Sequence, residues 1–330
     1  MTKNRQWLIN GNPRGRALEA DDFLRAEEVL SPLGVDEIRV KVDYLSFDPS
    51  LKGQMENIGY AAKTSMGEVM RADAVGTVVQ SNDPSVEEGA HVKGLLGWQD
   101  YATCKAGDLQ ILPAGDNPTE YLGPVGITGM TAYFGLLYAG KPKEGDTLLV
   151  TGAAGAVGSM VAQIGKGCRV VGVAGGPDKC AWLMEELGLD AAIDYRSDDV
   201  KSAMKSACPD GIDVFFDNVG GEVLNYALAQ ISLNARVVIC GAISRYEMAK
   251  LPPGPANYFN LVFKRANMVG ILASDYAEHF EEARADIRGW MDSGQIAYKE
   301  DVQEGFDNIP ETLNRLFSGK NFGKQLLRMD

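Results

Sequence analysis

Histidine is scarce: the chain has two in 330 residues, His91 and His279. A catalytic zinc usually draws three ligands from His, Cys and carboxylates, and no Cys/His cluster here has ligand spacing. A site with several histidine ligands cannot be built. A hydrolytic triad would have to recruit one of the two, but His91 lies beside Val92 in an expected strand and His279 in a charged helical stretch. Both read as structural or solvated. The five cysteines (104, 168, 180, 208 and 240) are scattered, odd in number and form no C-x-x-C pair. That excludes a disulfide framework and suits a reduced, cytoplasmic protein. Basic residues are in deficit, 32 against 45 acidic ones, for a net charge of −13. Neither a nucleic-acid groove nor an anionic membrane surface fits that balance. No apolar run reaches spanning length, and MTKNRQWLIN has no signal-peptide apolar core. What remains is 45% hydrophobic and 23% charged, an ordinary globular composition with length for two domains.

What is present is concentrated between Thr147 and Lys179. Leu148, Leu149 and Val150 form a short apolar run suited to a strand buried on both faces. Ala153-Ala154-Gly155-Ala156-Val157-Gly158 breaks it, and Val157, Val161 and Ile164 then recur at helical spacing. Cys168–Val173 reads as the next strand. A helix N-terminus offers unpaired N–H groups and partial positive charge, which a pyrophosphate needs. Gly155 lets the backbone approach, and Gly158 lets helix pack on strand. Ala153 stands where the first glycine of the usual fingerprint would be, so the motif is a variant. Taken alone it is also compatible with an ordinary glycine-rich turn; the flanking strand and helix favour a dinucleotide site.

The end of the second strand bears on which dinucleotide. An NAD site usually places an acid there for the ribose hydroxyls. This strand ends Ala174-Gly175-Gly176, with Lys179 close behind, and the third ends Asp194-Tyr195-Arg196. Losing the carboxylate removes repulsion against a 2′-phosphate, and a lysine supplies a point charge for it. The expected cofactor is therefore NADPH, although Lys179 could equally be a solvated residue in a first helical turn.

Residues 1 to about 120 read as β-rich: Ile38, Val40 and Val42 alternate with charged residues, Val75–Val79 is a strand, and His91–Leu95 another. Turn signals at short spacing suit a compact, partly open barrel. Composition shifts near Gly123, and a helix begins around Gly126–Tyr133. From LLVTG onward strands and helices alternate, with helices at 178–187, 198–207 and 221–231. A strand follows at RVVICGA, a sixth at Asn267–Ala273 and a long helix at 275–292. This is a doubly wound parallel sheet, an α/β fold. The tail from Val302 is expected to return to the first domain.

With GWQDY (97–101), GMTAYFGLL (129–137), AAGAVGS (153–159), KGCRVVGVAGG (166–176), FDNVGG (216–221), CGAIS (240–244), LPPGP (251–255) and NFGK (321–324), the chain resembles the zinc-independent medium-chain dehydrogenase/reductases. The likeness is to the branch of prostaglandin, alkenal and curcumin reductases, and covers nearly the whole length. It implies a GroES-like β-barrel catalytic domain from both chain ends (1–122 and 300–330) around a Rossmann NADP-binding domain (123–299). The implied activity is NADPH-dependent reduction of a carbon–carbon double bond conjugated to a carbonyl, with a homodimer as the assembly and a small enal or enone as the partner.

By motif, the resemblance places Gly155, Ala156, Val157 and Gly158 at the phosphates and Lys179 and Tyr195 at the 2′-phosphate. Asn218 stands beside the cofactor, and Cys240, Gly241, Ala242, Ile243, Ser244 and Tyr246 run along the nicotinamide half with Gly270, Ile271 and Leu272. Asn321 reaches in from the tail. Tyr246, then Tyr258, are the candidate catalytic hydroxyls, each equally readable as a packing aromatic. Two departures stand out. Asp48-Pro49-Ser50-Leu51-Lys52 replaces the family's DPYMR, removing an aromatic and an arginine near the substrate side and leaving substrate range open. The turn at Gly165-Lys166-Gly167 is shorter than usual. A quinone reductase and a non-catalytic NADPH-binding protein are the alternatives.

Overall fold

The computed structural model describes residues 2–59 and 63–330. It divides into two compact units, residues 1–122 with 300–330 and residues 123–299.

The first unit opens with an antiparallel pair, β1 (Lys3–Ile9) and β2 (Phe23–Val29). The alternating stretch forms β3 (Glu37–Ser46), with Ile38, Val40 and Val42 fully buried. After the short α1 (Ser50–Met55) come β4 (Ala74–Ser81), β5 (His91–Gly94), β6 (Tyr101–Lys105) and β7 (Gln110–Ile111). β3 pairs antiparallel with both β4 and β6.

The second unit begins with α2 (Ile127–Tyr133), which widens into a π-helical turn over Phe134–Gly140. Then β8 (Thr147–Thr151), α3 (Ala156–Ile164), β9 (Arg169–Ala174), α4 (Pro177–Glu185), β10 (Ala191–Asp194), α5 (Val200–Ala207), β11 (Ile212–Asp217) and α6 (Gly221–Leu228) alternate. β12 (Ile231–Ile239), α7 (Asn260–Lys264), β13 (Asn267–Gly270) and α8 (Phe280–Asp292) complete it. The sheet runs β10-β9-β8-β11-β12-β13, with every pairing parallel. This is the doubly wound dinucleotide-fold order, which reverses direction between β8 and β11. Both faces are covered, so its strands are continuous apolar runs; all five residues of β8 are buried.

The tail supplies β14 (Glu300–Glu304), α9 (Ile309–Phe317) and β15 (Lys324–Arg328). β15 pairs antiparallel with β3, and Phe306, Ile309, Leu313 and Leu327 join the core of the first unit.

Several boundaries differ from the sequence reading. The helix expected over 221–231 stops at Leu228, because Ile231 is buried opposite Ile212 and already belongs to a strand. The sheet register then shifts before Val214 meets Arg236, with Asn234 left-handed at φ +62°. The sixth strand ends at Gly270 rather than Ala273. The helix expected over 275–292 is α-helical only from Phe280; a 3₁₀ segment precedes it, broken at Tyr276 (φ −112°, ψ 20°). Packing accounts for the break, since the Tyr276 ring lies parallel to Phe134 at 4.7 Å. Among the described residues no helix is long and apolar enough to cross a membrane.

Candidate cofactor and active site

In a doubly wound sheet the binding crevice opens beyond the carboxyl ends of the strands, at the point where the order reverses. β8 ends there at Thr151, and the chain turns on Gly152, whose φ of +61° favours glycine. Ala153 is fully buried, its N–H on the Val173 carbonyl (3.1 Å). Gly155 caps α3 and donates to the Gly152 carbonyl at 2.9 Å. A Cβ on Gly158 would stand 2.2 Å from that same oxygen, so only glycine permits this close packing of helix on turn. The sequence reading took Ala153 as the displaced first glycine and did not include Gly152. The left-handed residue is Gly152, one step earlier, and the three-residue spacing of 152, 155 and 158 was the available signal. The Gly165–Gly167 turn closes the opposite end of α3, with Gly167 at φ +99°.

Beyond β9, Gly175 makes room for the Tyr195 ring; a Cβ there would lie 2.7 Å from two ring carbons. Gly176 (φ +98°) caps α4, and Lys179 is half-buried in that helix's first turn. Asp194 is close by, but its carboxylate is engaged by backbone. Its Oδ1 accepts the Gly176 N–H (2.8 Å) and the Arg196 N–H (3.0 Å), and its Oδ2 the Ser197 hydroxyl (3.0 Å). The Gly176 and Arg196 N–H groups hold it below the usual carboxylate range. Tyr195 is half exposed, with the Arg196 guanidinium 5.8 Å from its ring centre.

On the other side of the reversal stands Asp217, the last residue of β11, absent from the sequence-derived site. Its side chain is fully buried. Its Oδ1 accepts the Thr151 hydroxyl (2.7 Å) and the N–H groups of Val219 (3.0 Å) and Gly220 (2.9 Å). Asn218 is bound to the neighbouring strand end: its N–H donates to the Thr151 hydroxyl (2.9 Å) and its Nδ2 to the Thr151 carbonyl (2.7 Å).

The carbonyls of this turn carry the segment after β12. Cys240 and Gly241 donate to the Asp217 carbonyl (2.9 and 3.1 Å), Ile243 to that of Asn218 (3.3 Å) and Ser244 to that of Val219 (3.2 Å). The Ser244 hydroxyl reinforces the last contact at 2.6 Å. Tyr246 ends the segment half-buried, its hydroxyl accepting the Ala242 N–H at 3.2 Å. Burial, with Asp217 adding to it, pushes the Cys240 thiol up to about 12, which removes it as a nucleophile at neutral pH.

Gly270 pairs with Ile239 at the end of β13, and the Ile271 N–H continues onto the Ile239 carbonyl (3.2 Å). Residues 270–272 therefore lie along the end of β12. Tyr258 is 62% exposed just before α7.

Two motif segments lie in the first unit. Asn321 donates to the Gly323 carbonyl at 3.2 Å, across a turn whose Gly323 has φ +73°. In the Asp48–Lys52 segment, Lys52 is fully buried; it donates to the Pro13 carbonyl (3.1 Å) and pairs with Glu56. Leu51 is also buried, and only Ser50 is exposed, bonded to the Asp48 carboxylate. The arginine-to-lysine departure thus falls on a buried pair, and the change on the surface is confined to Ser50. Among the described residues, no three His, Cys, Asp or Glu side chains are grouped to hold a metal.

Residues 5–112 match a family described as N-terminal domain of oxidoreductase, and residues 156–288 one described as zinc-binding dehydrogenase. The NADPH-dependent curcumin reductase of Escherichia coli is 40% identical over 338 residues, covering 99% of this chain and 97% of that protein. Prostaglandin reductase 1 of Rattus norvegicus is 36% identical, covering 99% of this chain and 100% of the relative. The crystal structure of CurA in complex with NADPH from Vibrio vulnificus superposes with a TM-score of 0.94 at 38% identity, covering 99% of both chains.

Proposed function

The chain belongs to the zinc-independent medium-chain dehydrogenase/reductases, and from that premise we propose an NADPH-dependent reductase of α,β-unsaturated aldehydes and ketones. The reading draws on relatives named as curcumin and prostaglandin reductases and on a solved relative carrying NADPH. The observation that carries it is the Gly152–Gly158 turn joined to an acid-free second strand end, where Gly175 gives its side-chain space to Tyr195. That cradle fits a dinucleotide with a 2′-phosphate. Gly155, Ala156, Val157 and Gly158 hold the pyrophosphate at the α3 N-terminus, while Lys179 and Tyr195 take the 2′-phosphate. Asn218, Cys240–Ser244 and Gly270–Leu272 serve the rest of the cofactor.

Bound NADPH supplies a hydride for the β-carbon of the substrate. The chain's task is positioning and charge stabilisation. Conjugate addition moves negative charge to the carbonyl oxygen, where a donor already in place lowers the barrier. Tyr246 is the first choice for that donor, its hydroxyl held at the end of the bonded segment by the Ala242 N–H. Tyr258, exposed and outside the bonded segment, is the second choice. Alcohol–carbonyl interconversion would instead need an acid, base or Lewis acid at the oxygen.

The test is turnover of a 2-alkenal, an enone and a quinone with NADPH deuterated at C4. Deuterium at the β-carbon of a saturated aldehyde is expected. Deuterium at the carbonyl carbon would refute the reaction, turnover of quinone alone would favour the quinone reductase, and no turnover would leave only a binding protein.

The site of action on this reading is the cytoplasm and the assembly a homodimer. Exposed apolar residues near the free edge of the parallel sheet support the dimer: Phe259, Val262 and Phe263 at 53%, 60% and 65%, and Val269 on β13 at 39%.

A further inference from the structure

We propose that Asp217 is a positioning residue for catalysis, its carboxyl setting the turn whose carbonyls hold the segment bearing Tyr246. The inference rests on the reductase reading. Three observations converge on it. First, all three donors reaching the side chain meet at Oδ1: the Thr151 hydroxyl and the Val219 and Gly220 N–H groups. Gly220 and Gly221 follow at φ +71° and +65°, values that favour glycine. Second, the turn so fixed presents the carbonyls of Asp217, Asn218 and Val219 to the N–H groups of Cys240, Gly241, Ile243 and Ser244. The segment they hold ends on Tyr246, whose hydroxyl is bonded within it. Third, Thr151 receives Asn218 while donating to Asp217, and Gly152, the left-handed start of the phosphate turn, is the next residue. One buried carboxyl therefore links the ends of β8 and β11, and through its own backbone carbonyl the end of β12.

Among the described residues Oδ2 has no hydrogen-bond partner, although the side chain is fully buried. A bare carboxylate oxygen there would carry a large desolvation cost, and a neutral acid a much smaller one. Burial accordingly pushes the carboxyl above the ordinary range, opposed by its Gly220, Val219 and Thr151 donors. Cys240, the titratable neighbour from the end of β12, is a neutral thiol at pH 7. What the turn takes from residue 217 is thus an acceptor of fixed direction at Oδ1.

The experiment compares Asp217→Leu, Asp217→Asn and Thr151→Val, reading NADPH affinity by fluorescence and enone turnover at saturating NADPH. Asp217→Leu leaves three donors without their acceptor and is expected to lower kcat and NADPH affinity each by about tenfold or more. Asp217→Asn keeps an acceptor oxygen of the same reach, and should restore both to within about threefold of wild type. Thr151→Val, which removes one donor to Asp217 and the acceptor for Asn218, should fall between them. If Asp217→Leu does not fold, Thr151→Val decides alone. Wild-type affinity and kcat in Asp217→Leu or, failing it, in Thr151→Val would overturn the proposal, as would an Asn variant as impaired as the Leu variant. If wild-type protein reduces no enone, the reductase reading fails; NADPH affinity in the three variants still reads the linkage from Asp217 to the phosphate turn.

Discussion

On the proposed reading, Lys179 carries the cofactor preference at the level of a single side chain. It stands in the first turn of α4 behind Gly176, where a 2′-phosphate would meet a cation and the helix N-terminus together. Asp194, at the end of β10, is tied down by the Gly176 and Arg196 N–H groups and does not offer its charge to a ribose. A charge-assisted hydrogen bond to phosphate is worth about 1.5–3 kcal/mol. Lys179→Ala should therefore weaken NADPH by about one to two decades while leaving NADH nearly unchanged; titration of both cofactors by fluorescence checks it. Equal affinities for the two cofactors in wild-type protein would remove the assignment. Lys179 was visible as a candidate in the sequence because it lies three residues after Gly176, close behind β9. Asp217 was not, because its meaning depends on Thr151, which is 66 residues away along the chain. Lys52 shows the same limit from the other side. Its place in a motif suggested the substrate side, and only burial beside Glu56 and Pro13 reveals a structural role.

Elements whose chemistry is local were the readable ones. The parallel strands of the second unit are short apolar runs between glycine turns, and the order in which strands and helices alternate fixed the sheet. Boundaries failed where a distant partner decided the backbone: Ile231 is drawn into a strand by Ile212, and Tyr276 breaks a helix to lie on Phe134. The π-helical turn at Phe134–Gly140 belongs with these, since Gly135 packs against Phe216, whose ring a Cβ would approach to 2.7 Å. The phosphate turn lies between the two cases. Its glycines were visible, but which one turns left-handed depends on Ala153 bonding to Val173 in the neighbouring strand. Gly158→Ala tests that turn as an element. Its Cβ would press 2.2 Å from the Gly152 carbonyl oxygen, a backbone atom that cannot rotate away. Overpacking of this kind costs about 1–3 kcal/mol. The variant should lose that much stability in denaturant titrations and bind NADPH at least about tenfold more weakly, because the turn shifts to relieve the contact. Unchanged binding would mean that the turn does not cradle the pyrophosphate.

For the whole molecule the open question is what covers the free edge at β13. Among the described residues the strand pairs on one side, to β12, and an exposed edge offers its N–H and C=O groups to another chain. Proteins that keep such an edge solitary usually place charge on it, and here Val269 is exposed instead. Phe259, the N-cap of α7, and Phe263 within it pack edge-to-face at 5.0 Å, and both remain more than half exposed. An apolar cluster of that kind next to a bare edge is what a self-pairing interface needs at its centre. Against it stands the charge, −13 on each copy. Repulsion between exposed charges is screened beyond about 8 Å at physiological salt, whereas apolar burial is not. The dimer should therefore persist, or tighten, as salt is raised. Sedimentation equilibrium is expected to give twice the chain mass of 35.6 kDa for wild type. Val269→Lys combined with Phe263→Asp should return the mass to that of a single chain. If the double variant still sediments as the dimer, the interface lies elsewhere on the surface; if wild type is monomeric in high salt, the edge is covered by something other than a second copy.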